Sequence, residues 1–289
     1  ASVQVIESLF NNNEASVRGS AISTTGSYTL TLQDSSFVDN EARLGGPIFL
    51  SENGNYVDRG GNTASGNVAR LGPNCDGVYY STGIIRCERF GGGSPPATAS
   101  TPMPTSIAPS PAPTPFEPFG CQPVDTIHPC NDSITSWDAL RIAIASARPG
   151  ATLNMCGSLT KSSSDNVIFI LHKQIRLNCK QGPCLISGAG AHFDVRGTSV
   201  VTFQDFTFTG ATQQSLHFES GTNHAICNCR FVRNKNSNAV ERGAAIIAEE
   251  ETSVTVENSE FEGNEASGGA AIFVNGGVVT VSDSTFTQN

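Results

Sequence analysis

Short runs of alternating apolar and polar residues recur along the chain, separated by glycine, asparagine and aspartate. Val279 and Val281 carry the pattern near one end of the sequence, and Leu30 and Leu32 carry it near the other. Alternation with a period of two places every second side chain on one face of a β-strand. The pattern therefore predicts many short strands that bury one face in a shared core.

These strands belong to a longer repeat. In one copy, Gly269-Ala-Ala-Ile272 precedes a Val-x-Val strand and a Phe-x-x-Asn element. Equivalent positions are 27 residues apart from Phe10 to Phe37 and 25 apart from Phe261 to Phe286. A period of this length indicates a solenoid with one supersecondary unit per repeat. Since the leucine-asparagine scaffold of leucine-rich repeats is missing, we predict an all-β coil of short strands stacked in parallel.

The Gly-Gly-Ala-Ile and Phe-x-x-Asn elements resemble the repeats of right-handed parallel β-helix proteins of the pectin-lyase-like superfamily. Within it, they are most similar to the polymorphic outer-membrane-protein type and its secreted microbial and algal relatives. The resemblance covers roughly residues 1–70 and 185–289. It implies a right-handed parallel β-helix solenoid.

Stacked turns predict columns of identical side chains inside the coil. Asparagine tolerates positive φ at a sharp bend, and stacked amides can bond along the axis, although ordinary turn asparagines are the alternative. We expect a phenylalanine stack of Phe10, Phe37, Phe208, Phe231, Phe261 and Phe286. We expect an asparagine ladder of Asn13, Asn40, Asn62, Asn234, Asn264 and Asn289.

The repeats divide the chain into three parts. Residues 1–90 are predicted to be the C-terminal portion of a β-helix, whose end is closed by a hairpin with a Cys75–Cys87 disulfide. Residues 91–120 hold nine of the 15 prolines, eight Ser or Thr and no Lys or Arg, which is typical of an extended linker. Residues 121–289 are predicted to be the N-terminal portion of a β-helix.

The second β-helix portion should begin with a capping helix at about residues 136–148. Thr135-Ser-Trp-Asp138 reads as a capping box, and Arg148-Pro-Gly150 ends the helical pattern. Trp137 and Leu140 begin an apolar stripe that we expect to cover the open end of the coil. The stretch resembles the entry of many pectin-lyase-like chains, and a partner-binding helix is the alternative.

Nine cysteines, a single tryptophan and only 17 Lys plus Arg indicate an oxidising, extracellular setting. We expect Cys179 to pair with Cys184, and Cys130 to pair with Cys156 or with Cys121. Neither a C-x-x-C pair nor a histidine at ligand spacing supports a metal site, so we expect no metal and no cofactor.

The sequence does not assign disulfide partners to the other cysteines. Cys227 and Cys229 are too close in sequence for an unstrained bond. Cys229 stands where other repeats have serine, for example Ser259, so it should point inward. Because the total is odd, at least one thiol is free or bonds to another chain.

Charge and hydropathy limit the classes of partner that the chain is expected to bind. The net charge of −9 argues against a nucleic-acid partner, and no run approaches 18 apolar residues, so no membrane span is predicted. Asn131-Asp-Ser133 is an N-glycosylation sequon. Candidate O-glycosylation sites in the linker are Thr101, Thr105, Ser110 and Thr114.

Catalysis is not expected, although β-helices often carry polysaccharide lyases and hydrolases. The best candidates are His192, Asp194 and Arg196, whose alternation would put all three on one strand face. A hydrolase needs a second carboxylate nearby, and we find no acidic pair one turn away. Asp205 is better explained as a turn residue. A glycan-binding face would need exposed aromatic residues, which are few.

We therefore expect a secreted structural or adhesive protein, with a polysaccharide-active or glycan-binding β-helix as the alternative. The expected partners are copies of the same chain, covalent glycans and extracellular polysaccharide. Residues near 289 of one copy would stack on residues near 1 of the next and generate a fibre. About half a turn is missing at this junction, because the repeat expects Glu-Ala and Gly-Gly-Ala-Ile after Asn289.

Overall fold

The computed structural model describes residues 2–23, 28–44, 46–50, 54–70, 77–82, 84–90, 121, 130–236, 243–267 and 269–289. Within these ranges the chain is a parallel β-helix of short strands with a single α-helix, α1 (Trp137–Ser146). The all-β solenoid with one capping helix that the repeats predict is thereby confirmed.

The strands, numbered along the chain, form three faces. The first face is a nine-stranded sheet of β1 (Ser2–Ile6), β5 (Tyr28–Gln33), β9 (Gly54–Asp58), β14 (Ala151–Met155), β17 (Gln174–Cys179), β20 (Val200–Gln204), β23 (Gly221–Cys227), β26 (Thr252–Glu257) and β29 (Val278–Ser282). The second face is a nine-stranded sheet of β2 (Leu9–Asn11), β6 (Ser36–Val38), β10 (Thr63–Ser65), β15 (Leu159–Lys161), β18 (Cys184–Gly188), β21 (Phe206–Thr209), β24 (Arg230–Val232), β27 (Glu260–Glu262) and β30 (Thr285–Thr287).

The third face is divided. Its larger part is a five-stranded sheet of β16 (Ile168–Leu171), β19 (Phe193–Arg196), β22 (Leu216–Phe218), β25 (Ile246–Ala248) and β28 (Ile272–Val274). Its second part is a four-stranded sheet of β4 (Ile22–Ser23), β8 (Ile48–Leu50), β12 (Gly77–Thr82) and β13 (Ile84–Arg89). A three-stranded sheet of β3 (Glu14–Arg18), β7 (Glu41–Leu44) and β11 (Val68–Ala69) precedes it in each turn.

The order of strands along the axis is a circular permutation of their order in the chain. The first sheet runs β14-β17-β20-β23-β26-β29-β1-β5-β9. Strands β29 and β1 pair in parallel, with Val279 opposite Val3 and Val281 opposite Val5. The junction that we had expected between two copies is therefore made within one chain. We call this junction, where residues 278–289 meet residues 2–13, the seam.

An additional element lies at each end of the joined coil. Helix α1 packs against β15 and β16 through Trp137, Leu140 and Ile144, which are buried. Its N-cap is Ser136, whose Oγ accepts a hydrogen bond from the Ala139 amide, and not Thr135 as the capping-box reading implied. At the opposite end, β12 pairs antiparallel with β13 and lies on β8. The expected Cys75–Cys87 bridge lies outside the residues whose side chains are described.

The phenylalanine stack runs through the core at one position of the second sheet. Successive rings, including Phe286 and Phe10 across the seam, have centroids 4.4–4.9 Å apart and planes within 15° of each other. Parallel pairing in register forces this spacing, because neighbouring strands lie about 4.8 Å apart. The stacked rings are at most 4% exposed. The members are Phe208, Phe231, Phe261, Phe286, Phe10 and Phe37.

The asparagine ladder lies three residues further on. Each side-chain NH2 except that of the last member donates to the amide oxygen of the next asparagine at 2.7–3.1 Å. Each also donates to the carbonyl of a phenylalanine in the preceding turn. Each amide oxygen also accepts from a backbone N–H. The members are Asn234, Asn264, Asn289, Asn13, Asn40 and Asn67.

Two details of the predicted ladder are wrong. Asn67, not Asn62, is the last member, because Ala64 pairs with Phe37 and the asparagine follows three residues later. Asn62 instead accepts from the Ser35 amide in a neighbouring column. The left-handed backbone also belongs to the preceding residue, as at Asn12 with φ 57°. The ladder asparagines are therefore selected by their hydrogen bonds and not by their backbone conformation.

That neighbouring column contains serines and one cysteine. The Cys229 amide donates to Ser259 Oγ, the Ser259 amide donates to Ser284 Oγ, and the row continues through Ser8 to Ser35. Cys229 is buried and free, and burial raises the pKa of its thiol to about 12. The cysteine points inward, as its alignment with the serines predicts.

Three disulfides are present among the described residues. Cys179 bonds to Cys184, and Cys130 bonds to Cys156, which settles the choice that the sequence left open. Cys121 bonds to Cys227, and this bridge fixes the end of the linker region to β23. Sequence spacing could not reveal this last pair, because the two cysteines are 106 residues apart.

Replacing a ladder asparagine should cost far more than replacing an exposed one. Asn264→Ala removes two donors and leaves Asn234 and the Phe231 carbonyl without their buried partners. We expect the free energy of unfolding to fall by about 3 kcal/mol. The control Asn55→Ala lies on an exposed strand position and should change it by less than about 0.5 kcal/mol. Urea denaturation of both variants measures the difference, and equal losses would contradict a stabilising ladder.

Candidate functional site

The five-stranded part of the third face carries two rows of outward-facing side chains. Parallel register aligns Phe169 with Asp194 and Asp194 with His217 in one row. It aligns Leu171 with Arg196 in the other. Phe169 and Leu171 are each 53% exposed, so apolar and charged side chains lie side by side on this surface.

Asp194 and Arg196 form the centre of the cluster. The guanidinium donates Nε to Asp194 Oδ1 at 2.9 Å and an Nη to Oδ2 at 2.7 Å, which is a bidentate pair. The Arg196 Nε also lies 2.8 Å from a carboxylate oxygen of Glu219. The same guanidinium lies over the Phe169 ring, 4.9 Å from its centroid.

His217 joins Asp194 to a further acidic residue. Its Nδ1 lies 3.6 Å from Asp194 Oδ2, and its Nε2 lies 3.8 Å from Glu249 Oε1. Glu249 also accepts a hydrogen bond from Asn275 Nδ2 at 2.6 Å. The cluster formed by Asp194, Arg196, His217, Glu219 and Glu249 is called the third-face cluster below.

Electrostatics shifts two of these groups in opposite directions. Burial by itself lowers the pKa of His217, but the attraction of Asp194 and the nearby carboxylates outweighs burial, so the pKa is raised. Burial by itself raises the pKa of Asp194, but the interactions with His217 and Arg196 outweigh it, so this pKa is lowered. The interaction therefore favours an imidazolium beside a carboxylate.

His192 does not belong to this cluster, contrary to the prediction from alternation. It precedes β19, it is 0% exposed, and its Nε2 lies 2.9 Å from the Gly188 carbonyl. Its ring packs near Trp137 and Phe208, and burial lowers its pKa to about 4. The period of two holds only within a regular strand, so it could not be extended back to residue 192.

The sequence reading missed His217 and Glu219. No acidic pair was expected one turn from Asp194, and the next turn does contribute one acidic residue, Glu219, which contacts Arg196. Alignment of Phe193-Asp-Val195 with Leu216-His-Phe218 could have found both residues. That alignment requires the turn lengths between the strands, which are irregular here.

The other acidic candidate, Asp205, is a turn residue as predicted. Its φ is 63°, and its carboxylate accepts a hydrogen bond from Asn228. Asp34, Asn258 and Asp283 occupy equivalent turns with φ of 49–50°. These side chains mark bends at the end of first-sheet strands.

The cluster is better suited to binding than to acid–base chemistry. Ligand atoms of Asp194, His217 and Glu219 all lie within 4.8 Å of one another. Arg196 already forms ion pairs with the Asp194 and Glu219 carboxylates. A lowered pKa also makes Asp194 a poor proton donor near neutral pH.

A second group of possible metal ligands, Cys130, Asp132 and Cys156, contains the two sulfurs of a disulfide. Metal binding requires thiolates, so this bridge does not leave the two cysteines available as ligands.

A family model described as "Right handed beta helix region" matches residues 155–289. A search of curated proteins finds no match. Together with the stacked strands, the family match establishes a right-handed parallel β-helix. This domain occurs both in pectate-lyase-like enzymes and in proteins without enzymatic activity. Among the described residues, no helix has the length and apolarity needed to cross a bilayer.

Substitution of His217 should weaken the fold in a pH-dependent way. Because its folded-state pKa is raised above 6.5, its contribution is complete below that value and is lost as the pH rises through the folded-state pKa. We expect His217→Gln to lower the free energy of unfolding by about 1 kcal/mol near pH 5.5, and by much less near pH 8.5.

The control is His172→Gln, which changes an exposed histidine on the same face. Denaturation curves at both pH values should show the pH-dependent difference only for His217. The histidines other than 172 and 217 are common to both variants, so their titration cancels in the comparison. A loss that is larger at the higher pH would show that His217 is neutral in the folded protein.

Proposed function

We propose that this chain is a secreted structural or adhesive protein that forms extracellular fibres through the seam contact. The β-helix fold is consistent with extracellular or polysaccharide-related roles. The observation that carries the proposal is the continuity of the columns across residues 289 and 2. Asn289 bonds to Asn13 at 3.1 Å, and Phe286 stacks on Phe10 at 4.4 Å, as in any interior turn.

The same contact can form between two copies. Residues 90–121 connect the two parts, and an extended chain of about 30 residues can reach roughly 95 Å. Along the axis, only five strand steps of about 4.8 Å, or about 24 Å, separate β9 from β23. The connection is thus long enough to place residues 2–90 on the same coil or on a neighbouring one. Open exchange of this kind generates a filament.

Several features support secretion. The disulfides fit an oxidising compartment. Asn131, in the sequon, is exposed, and we propose that it carries a glycan. The proposed O-glycosylation sites Thr101, Thr105, Ser110 and Thr114 lie outside the described residues.

Crosslinking can show which form of the seam occurs. Gln4 and Thr280 are opposite each other in β1 and β29, and both are partly exposed. One variant carries Gln4→Cys and a second carries Thr280→Cys. In a mixture of the two, a short bifunctional thiol crosslinker can join these positions only between copies. We expect covalent dimers at high protein concentration, together with filaments in electron micrographs.

The control is the double variant that carries both Gln4→Cys and Thr280→Cys, because in it the crosslinker can join the two positions within one chain. A Gln4→Cys and Val57→Cys mixture reports random collision, since Val57 is exposed but lies in β9. Efficient closure in the double variant, with no dimers in the first mixture and no filaments, would contradict the fibre proposal.

Glycan binding is a second candidate function, and the third-face cluster favours it. The Glu219 carboxylate and the Arg196 guanidinium are accessible and can bond to sugar hydroxyls, and the neighbouring exposed Phe169 ring offers an apolar surface. Three acidic groups against two basic ones leave the cluster close to neutral or slightly acidic. The surface therefore suits a neutral polysaccharide better than a polyanionic one.

Binding assays can test this second proposal. We expect the protein to co-sediment with an insoluble neutral polysaccharide, such as cellulose or a β-glucan, and more weakly with polygalacturonate gels. Phe169→Ala should weaken binding about tenfold, which corresponds to about 1.4 kcal/mol. The control Leu185→Ala changes an exposed apolar residue on the second sheet and should have no effect. Equal binding by both variants would exclude this face as the glycan site, and release of reducing ends would reveal an enzyme.

A further inference from the structure

A titratable side chain is buried beneath the capping helix. His192 immediately precedes β19 and is 0% exposed. Its ring centroid lies 6.2 Å from that of Trp137, the first residue of α1, in an edge-on contact. It lies 6.3 Å from the ring centroid of Phe208, which belongs to the phenylalanine stack. The position of the helix is therefore coupled to the state of this imidazole.

Trp137 attaches α1 to the coil. Its indole Nε1 donates to the Asn166 carbonyl at 2.8 Å. Leu140 and Ile144 are buried on the same side of the helix. Because Trp137 also contacts His192, a change in the charge of that histidine acts directly on the attachment.

Only one nitrogen of the His192 ring is paired. Nε2 lies 2.9 Å from the Gly188 carbonyl and must carry the proton, because a carbonyl oxygen can only accept. Nδ1 is buried, and it has no hydrogen-bond partner within the described part of the chain. Protonation would therefore bury a positive charge together with a second N–H that lacks an acceptor, which is costly.

A second buried cation also opposes protonation. Lys161 is 6% exposed, and its Nζ donates to the Ala189 carbonyl at 2.8 Å, next to the Gly188 carbonyl that His192 uses. The carboxylate that acts on Lys161 is that of Asp165, which is partly exposed to solvent. Burial above all, and the charge of Lys161 as well, lower the pKa of His192 to about 4, although its hydrogen bond to Gly188 acts in the opposite direction.

Other charged side chains of the packed elements are paired with each other. Asp138 pairs with Arg141 on the exposed side of α1. Asp194 forms its bidentate pair with Arg196 on the outer face of β19. Among the described residues, neither carboxylate accepts a hydrogen bond from His192, so neither stabilises its protonated form at the core.

These contacts link the cap to pH. With α1 detached, His192 reaches solvent and titrates near the ordinary histidine pKa of about 6.5, whereas in the closed form its pKa is about 4. The closed form is thus fully favoured above about pH 6.5. It loses stability as the pH falls from there to about 4, because only the open form binds the proton in this range. The ratio of open to closed caps should rise on the order of 100-fold over this window.

We propose that α1 is an acid-sensitive cap, whose opening is favoured when His192 takes up a proton and reversed when that proton is lost. Opening frees Trp137 and uncovers β15 and β16, which are the outermost strands of their sheets. Backbone groups at such an edge can pair with an added strand. The device depends neither on fibre formation nor on glycan binding.

Hydrogen exchange of the full chain, with its disulfides intact, measures the opening. Exchange is followed near pH 7 and near pH 4 and corrected for its intrinsic pH dependence. Protection of residues 139–146 should fall on the order of 100-fold at the lower pH, because these amides exchange through the open form. Protection of β29, which lies far from the cap, should stay unchanged.

The variant His192→Gln tests the cause. Glutamine does not titrate, and its amide can still donate to the Gly188 carbonyl, so protection of α1 should differ by less than about threefold between the two pH values. The matched control is His224→Gln, which removes another buried histidine whose pKa is lowered to about 4, in β23 and outside the cap. This control should retain the full pH dependence of α1.

Lys161→Met gives an independent test that keeps His192 in place, and it applies even if His192→Gln fails to fold. Removal of the neighbouring positive charge raises the pKa of His192 in the closed form. The change in the protection of α1 between the two pH values should therefore become several-fold smaller.

Two results would overturn the proposal. One is protection of α1 that does not change with pH in the native chain, or that changes equally in the native chain and in both cap variants. The other is an equal loss of protection in α1 and β29 of the native chain, which would show unfolding of the whole coil instead of opening of the cap.

Discussion

Parallel stacking in register is the constraint on which the rest of this structure depends. Because each strand pairs with the equivalent strand one turn away, a side chain always meets its own counterpart about 4.8 Å along the axis. Only side chains that can stack on, or form hydrogen bonds with, an identical side chain are suited to such a column. Flat phenylalanine rings can stack, and asparagine amides can donate to and accept from the next amide. The buried polar groups of the ladder are therefore paired without water.

The same register determines which side chains are neighbours on the outer surface. On the third face, neighbouring turns place Asp194 beside His217, and the guanidinium of Arg196 bridges Asp194 and Glu219. Unlike the core columns, these outward rows do not repeat one residue type. Their opposite charges pair from turn to turn, and the exposed Phe169 adds an apolar surface. This is the part of the coil whose composition departs from the repeat, which is why it is the candidate for recognition.

The seam shows how strongly the columns direct assembly. Residues 278–289 and 2–13 are far apart in sequence, yet they join with the hydrogen bonds of adjacent repeats. Nothing in the columns distinguishes a turn of the same chain from a turn of another copy.

The solenoid, the capping helix, the phenylalanine stack and five of the six ladder asparagines could all be predicted from the amino-acid sequence. These features depend on local periods of two and about 26 residues, which are readable without tertiary information. Only the folded chain shows which residues the irregular turns bring together. Examples are the Cys121–Cys227 bridge, Asn67 in place of Asn62 in the ladder, and His217 in place of His192 in the cluster. The folded chain also shows that the strands of the two halves pair in register at the seam. Repeat patterns could not reveal this, because they specify a contact but not whose strand makes it.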